Sequence, residues 1–222
     1  MANENLTVEI VSDVVCPWCY IGKRRIEKAL KLTGRSDIGL RWLAYELNPG
    51  TPKNGVPWET FMCSKFGSPP YARQVEKYVA RAALLEEITL RFDLIERLAN
   101  TFDAHRLIWL AGTMGDQAGI VERLYQAYFC EGRDIGSRDV LAAIAGEAGF
   151  NPSGTRDFLV SDSGVKEVFA EWETSRRRGV DGVPSFFLDG VHIASGAQKP
   201  EHLATMLMDA LQRLERRNNS AL

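Results

Sequence analysis

Residues 6–22 read Leu6-Thr7-Val8-Glu9-Ile10-Val11-Ser12-Asp13-Val14-Val15-Cys16-Pro17-Trp18-Cys19-Tyr20-Ile21-Gly22, and the fold class turns on this stretch. Residues 6–11 mix alternation with β-branching, which predicts a strand, and Ser12-Asp13 turns the chain out of it. From Pro17 to about Leu32 the composition becomes helical, with Ile26, Ala29 and Leu30 at helical spacing and Thr33-Gly34 as a stop. Residues 38–45 read as a second strand, closed by Asn48-Pro49-Gly50. Strand, helix and strand in so short a span make a βαβ unit with a parallel pair.

The far end of the chain reverts to the same alphabet. Ser185–Leu188 reads as a strand, Asp189-Gly190 as a tight hairpin turn and residues 191–194 as its partner. Pro200 then opens a helix carrying Leu203, Met206, Leu207, Leu211 and Leu214. Between the two ends the periodicity is helical. Trp58, Phe61, Met62 and Phe66 form one stripe, ended by Gly67; Tyr71, Val75, Tyr78, Val79, Ala82 and Leu85 form another, opened by Pro70. Asn100-Thr101 reads as a cap before residues 102–111. Further stripes run through Val121, Leu124, Tyr125, Tyr128 and Phe129, through Val140, Leu141, Ile144 and Ala148 after Ser137, and through Val165, Val168, Phe169 and Trp172. These aromatic stripes read as packing, and Arg176-Arg177-Arg178 as a solvated helix end that suits the helix dipole. The expectation is an α/β domain of residues 1–49 and 179–222, β-α-β … β-β-α, interrupted by an all-α insertion of residues 50–178.

Composition narrows the function. The 222 residues are 45% hydrophobic and 25% charged, the profile of an ordinary globular chain rather than a disordered or fibrous one. Lys and Arg number 27 against 29 Asp and Glu, a formal net charge of −2, without the cationic surplus that phosphate neutralisation needs. Nucleic acid is therefore not an expected partner. No apolar run approaches a membrane span, so no membrane partner is expected either, and the first residues lack the basic and apolar regions of a secretory signal. The reading is a cytoplasmic protein, its thiols in a reducing pool.

The chemistry concentrates at Cys16-Pro17-Trp18-Cys19. The pair falls where the first strand hands over to the first helix, Cys16 at the N-cap and Pro17 at the first helical position, where a missing N–H costs least. Amides of the first turn then face an exposed Cys16 sulfur and favour its thiolate. Cys19, one turn on, faces inward and is the more basic thiol. This arrangement suits reversible exchange, in which Cys16 attacks and Cys19 resolves the mixed disulfide. Zinc would want further ligands at suitable spacing; Cys63 and Cys130 stand apart, and His105, His192 and His202 form no paired motif, so no metal site is expected. Cys63 and Cys130 read as buried small hydrophobes. In Gly182-Val183-Pro184-Ser185-Phe186, proline opens a strand, where the sequence alone favours a trans peptide.

Taken together, SDVVCPWCYIG (12–22), YELNP (45–49), NTFDAHRLIWLA (100–111), YFCEGRDIG (128–136) and GVPSFFLDG (182–190) resemble the thioredoxin-fold DsbA superfamily, in its FrnE-like branch. That branch is related to 2-hydroxychromene-2-carboxylate isomerases and kappa-class glutathione transferases. The resemblance implies a thioredoxin-like fold with a large all-α insertion, and a cis peptide at Val183-Pro184 with its loop facing Cys16. It implies Cys16 as nucleophile, Cys19 as resolving thiol and Pro184 as the third catalytic element, with substrate held by Pro17, Trp18, Val183, Asn48 and Gln198. It further implies no tightly bound cofactor, glutathione as a co-substrate, a disulfide-containing protein or small thiol as substrate, and a homodimer. Cys130 stands where the branch commonly has threonine. Asn100-Thr101 and His105 lie in a shared segment; they read as a cap and a helix-surface histidine, with a substrate-pocket role as the alternative.

Three functions follow. The first is a thiol–disulfide oxidoreductase that reduces or isomerises disulfides. A pair as oxidising as periplasmic DsbA lies roughly 100 mV, or about 4.6 kcal/mol, above the cytosolic glutathione poise and so rests there as the dithiol. The second is a glutathione-dependent isomerase or transferase acting on a small aromatic metabolite. Those relatives usually present serine where Cys16 stands, so the cysteine pair argues for the first. The third is a non-catalytic redox sensor that binds its partner in one oxidation state.

Overall fold

In the computed structural model, which describes residues 6–35 and 37–219, strand β1 (Thr7–Ser12) lies inside the main sheet. It hands over to helix α1 (Pro17–Leu32), and β2 (Gly39–Ala44) returns parallel to it, Thr7 opposite Gly39 and Ser12 opposite Ala44. A long excursion follows: β3 (Val56–Pro57), α2 (Trp58–Phe66), α3 (Pro69–Leu84), a 3-10 turn at Phe92–Leu94, and β4 (Arg97–Leu98), which pairs with β3. Then come α4 (Phe102–Met114), α5 (Gln117–Tyr125) with a π turn at Gln126–Cys130, α6 (Arg138–Glu147), α7 (Pro152–Val160) and α8 (Val165–Arg177). The chain rejoins the sheet through β5 (Ser185–Leu188) and β6 (Val191–Ser195) and ends in α9 (Pro200–Asn219). The sheet order is β2-β1-β5-β6, with β5 antiparallel to β1, Val8 opposite Leu188 and Val11 opposite Ser185. Asp189 and Gly190 both take positive φ, 43° and 80°, as the two-residue hairpin turn requires.

Helices α1 and α9 cover one face of the sheet. Ile21, Ile26 and Ala29 of α1 and Leu203, Leu207 and Leu211 of α9 join Val8, Ile10, Phe186 and Leu188 in the main core. Each of the larger side chains among these, the Val, Ile, Leu and Phe, contributes about 1.5–3 kcal/mol when fully buried. Across the sheet, Val11, Leu43, Val180 and Phe187 form a smaller cluster. The main cluster runs without a break into the helical block through Trp42, Tyr125, Tyr128 and Phe129. Ion pairs reinforce the join: Lys23 of α1 reaches Glu122 of α5 at 2.8 Å, and Arg25 and Lys28 both hold Glu86 after α3, at 2.6 and 2.8 Å.

The insertion, expected to be all-α, also holds the short antiparallel β3–β4 pair, which at two residues a strand leaves no alternation to read, and three further elements differ from their sequence patterns. The apolar spacing assigns nothing between Gly149 and Val165, yet α7 forms there. Asn151 accepts from Gly154 N–H at 3.1 Å, Pro152 starts the helix, and only Thr155 and Leu159 are buried, too few to register as a stripe. In α3 the tyrosines do not pack inward. Ala72, Val79 and Ala83 are buried, while Tyr71 and Tyr78 are 54% and 67% exposed, because small residues let the helix lie close to its neighbours. Phe169 of α8 is likewise half exposed, its ring tilted against Trp172 at 5.7 Å between centres.

Candidate active site

Cys16 is the N-cap of α1, in extended conformation (φ −97°, ψ 110°), with Pro17 at the first helical position. Its amide donates to Asp13 O at 3.1 Å, and its carbonyl accepts from Cys19 N–H at 3.0 Å, so the loop turns directly into the helix. Pro17 has no N–H and Cys19 N–H serves the Cys16 carbonyl, which leaves Trp18 N–H as the first-turn amide without a partner within the helix. All four cysteines are free thiols. Cys19, one turn on, is 1% exposed and lies within hydrogen-bonding reach of Cys16. Burial raises the Cys19 thiol well above its ordinary pKa, and the neighbouring Cys16 sulfur adds to the shift. Cys16 itself keeps only 6% exposure, where the sequence suggested an open sulfur. The helical block accounts for the difference: it roofs the site, with Trp18 tilted against Tyr78 at 6.0 Å between ring centres.

Opposite the dithiol stands the loop before β5. The Val183–Pro184 peptide is cis, and the Cys16 thiol donates to Val183 O at 3.7 Å. Gly22 makes this approach possible. A Cβ built on it would stand 2.7 Å from Pro184 Cγ and 3.3 Å from Phe186 Cζ, so only glycine lets the proline ring lie against α1. Asp13 fixes the loop from beneath: it is fully buried, and its carboxylate accepts from Val15 N–H at 3.4 Å and Leu47 N–H at 2.8 Å. Sequence reasoning gave neither residue a role. A glycine in mid-helix and an acidic residue ending an apolar strand were the available signals.

A pocket of about 120 Å³, mainly apolar, opens beside Cys16. Pro17, Trp18 and Asn48 line it on the dithiol side, and Trp58, Phe61 and Phe92 on the side of the helical block. Glu76 accepts from Trp58 Nε1 at 2.8 Å and holds that wall. Gln198 is not among the lining residues; its amide donates to Ser195 O at 3.0 Å within its own turn. The adjoining Ala197 O accepts from Arg25 at 2.6 Å, which pins that turn to α1. His105, expected on a helix surface, is 2% exposed, because α4 is enclosed on nearly every side. Cys63 and Cys130, expected in the core, are only half-buried: one sits on the outer part of α2, the other ends the π turn. Among the described residues no group of three or more His, Cys, Asp or Glu could hold a metal ion, and no helix is long and apolar enough to cross a membrane.

The DSBA-like thioredoxin domain matches residues 7–208, nearly the whole chain. The protein belongs to this family. A crystal structure of a probable DsbA oxidoreductase from Streptomyces coelicolor superposes with a TM-score of 0.87 at 33% identity, covering 93% of this chain and 90% of that one. Two more distant likenesses share the fold. A 2-hydroxychromene-2-carboxylate isomerase gives a TM-score of 0.68 at 20% identity, over 97% of this chain and 99% of that one. The cytosolic disulfide reductase DsbM of Pseudomonas aeruginosa, in complex with glutathione, gives 0.59 at 17%, over 96% and 100%. The DSBA-like assignment makes the thioredoxin fold with its helical insertion, and oxidoreductase chemistry in general terms, properties of this chain.

Proposed function

We propose that the protein is a thiol–disulfide oxidoreductase working through Cys16 and Cys19. The observation that carries this reading is the placement of Cys16: at a helix N-cap, 3.7 Å from Val183 O, with a second sulfur in reach one turn behind. Cys16 as thiolate attacks a substrate disulfide, and one substrate sulfur leaves as thiolate. Cys19 then attacks Cys16 in the mixed disulfide, releases the second substrate sulfur and closes the Cys16–Cys19 bond. Substrate is reduced by two electrons and the enzyme oxidised by two; two equivalents of a thiol of the glutathione class restore the dithiol and leave as their own disulfide. The backbone beside Pro184 binds the substrate chain, and Pro17, Trp18 and Asn48 meet the residue next to its cysteine. In a cytoplasmic setting the resting dithiol runs the reaction towards reduction or isomerisation. Insulin reduction in the presence of dithiothreitol tests the reading. Cys16→Ser should abolish the catalysed rate, and Cys19→Ser should accumulate a mixed disulfide through Cys16; equal rates for wild type and Cys16→Ser refute it.

A second reading draws on the pocket. Its aromatic lining beside Cys16 suits one ring of a small metabolite, as a glutathione-dependent isomerase would need. Turnover that requires glutathione and survives Cys19→Ser would favour this reading, since exchange stalls without a resolving thiol.

A further inference from the structure

Helix α3 keeps an apolar row in solvent beside the dithiol. Tyr71, Tyr78 and Leu85, the C-cap of the helix, stand seven residues apart and so share one face over about 21 Å. All three are exposed, and Leu85, at 76%, is the most exposed large apolar side chain among the described residues. A lone apolar residue at a surface is ordinary, but a row of them rimmed by charge marks a contact face. On the flank towards the site, Val75 and Val79 line the pocket beside Cys16, and Tyr78 itself meets Trp18. On the other flank run Arg73, Lys77 and Arg81, a turn apart and exposed, and none has an acidic partner among the described residues. Like charges at this spacing weaken a helix, so these cations do nothing for the stability of α3. The acids of the stretch are engaged elsewhere: Glu76 accepts from Trp58, Glu86 is held by Arg25 and Lys28, and the exposed Glu87 lies beyond the helix end. Lys65, over the rings of Phe61 and Phe66 at 5.4 and 5.8 Å, adds a fourth cation at the pocket.

Length and charge decide what covers this face. A second copy docked through it would set the cations against their own counterparts, since a two-fold contact is self-facing. Glutathione, three residues long, spans about 10 Å at full extension, half the row. A polypeptide follows the whole row with about six extended residues. We propose that the exposed face of α3 docks a protein substrate and selects an acidic segment with apolar side chains next to the cysteine to be exchanged. Its apolar side chains lie along Tyr71, Tyr78 and Leu85, its carboxylates meet Arg73, Lys77 and Arg81, and the chain enters the site past Trp18. The molecule carries a net charge of −2, so its overall field favours basic partners, and a preference for acidic ones has to come from this local row. The inference deepens the exchange reading above and rests on it.

The test uses the reduced full-length protein, in excess, and two synthetic peptides of equal length, each with its one cysteine as a mixed disulfide with nitrothiobenzoate. One peptide alternates Glu and Leu around the cysteine; the other has Lys at every Glu. Cys16 bonds the peptide sulfur, the probe disulfide breaks, and nitrothiobenzoate leaves with the electron pair and is read by its absorbance. The release due to Cys63 and Cys130, read from the Cys16→Ser, Cys19→Ser protein, is subtracted. Each rate is divided by that of the same peptide with 2-mercaptoethanol, which removes the reactivity of the probe itself. The acidic peptide should react about tenfold faster than the lysine peptide at about 20 mM salt, and within about twofold of it at about 0.5 M. The Arg73→Glu, Lys77→Glu, Arg81→Glu protein should invert this ratio, from which the intrinsic reactivity of the dithiol divides out. Tyr71→Ser with Leu85→Ser should slow the acidic peptide about threefold more than a matched peptide with Ser at every Leu. Equal rates for the two charged peptides, or a faster lysine peptide, overturn the inference with the wild-type protein alone, and so does a ratio that the triple variant keeps. Co-sedimentation with phosphatidylserine vesicles, found together with equal peptide rates, would assign the face to a lipid surface instead. Release no greater than that of the Cys16→Ser, Cys19→Ser protein removes the exchange reading itself, and this inference with it.

Discussion

Replacing Gly22 with alanine sets two opposed effects against each other at the active site. Gly22 lies inside α1, where alanine is intrinsically favoured by about 0.5–1 kcal/mol. The added methyl, however, would meet Pro184 Cγ at 2.7 Å and Phe186 Cζ at 3.3 Å. Carbon atoms pack at about 3.5–4.0 Å, so the proline ring must retreat by about 0.8 Å. Neither a pyrrolidine ring nor a buried phenylalanine gives way easily, and such overpacking costs about 1–3 kcal/mol. The net expectation is a loss of about 1–2 kcal/mol, which lowers a urea midpoint by about 0.5–1 M at a slope of about 2 kcal/mol/M. The same displacement moves Val183 O away from Cys16, and insulin reduction should fall about tenfold, since misplacements near 1 Å cost up to about 100-fold. Gly154→Ala in α7 is the control. Its Cβ would find only Asn151 atoms, at 3.8 and 3.9 Å, so it should stabilise slightly and leave activity unchanged. A Gly22→Ala protein as stable and as active as wild type would show that contact between α1 and Pro184 does not set the site.

The raised pKa of Cys19 has a consequence for stability. A thiol that holds its proton more tightly folded than unfolded contributes fully below the unfolded value of about 8.5, and that contribution is lost as pH rises through the folded value. The oxidised protein has no such proton, so melting temperatures of the reduced and oxidised forms should diverge between pH 8.5 and 10, the reduced form falling faster; parallel curves would contradict this. Arg106→Leu should cost about 3–5 kcal/mol. Its guanidinium donates to the carbonyls of Phe158, Leu159, Ser161 and Ser163 and to Asp103, so faster amide exchange over residues 158–163 should accompany the loss in denaturant titration.

What the sequence disclosed was what local periodicity encodes. The helix after Cys16 matches at both ends, since Pro17 and Thr33-Gly34 are start and stop signals in themselves. The hairpin at Asp189-Gly190 is local in the same way. The resemblance placed Pro184 opposite Cys16, a relation across 168 residues that no windowed pattern contains. Burial in the helical block was less legible. In α4, Ala104, His105, Arg106, Leu107 and Ile108 are all buried, so the helix has no polar face to read, and a histidine there looked superficial. The error in α3 ran the other way: two tyrosines at packing intervals face outward because alanines determine which side approaches. Asp13 and Gly22 depend on partners distant in sequence, Leu47 and Pro184, and gained meaning only from tertiary structure.

The position of β1 between β2 and β5 also governs how the molecule comes into being on the ribosome. The dithiol is made well before the loop that faces it, since Pro184 follows Cys19 by 165 residues, roughly ten to thirty seconds of synthesis. Throughout that interval the border of β1 that will meet β5 has no neighbour, and the nascent cysteines lack the strand that selects what they touch. Reactivity is thus synthesised ahead of discrimination, and the emerging chain depends on its surroundings to keep its own sulfurs from premature partners.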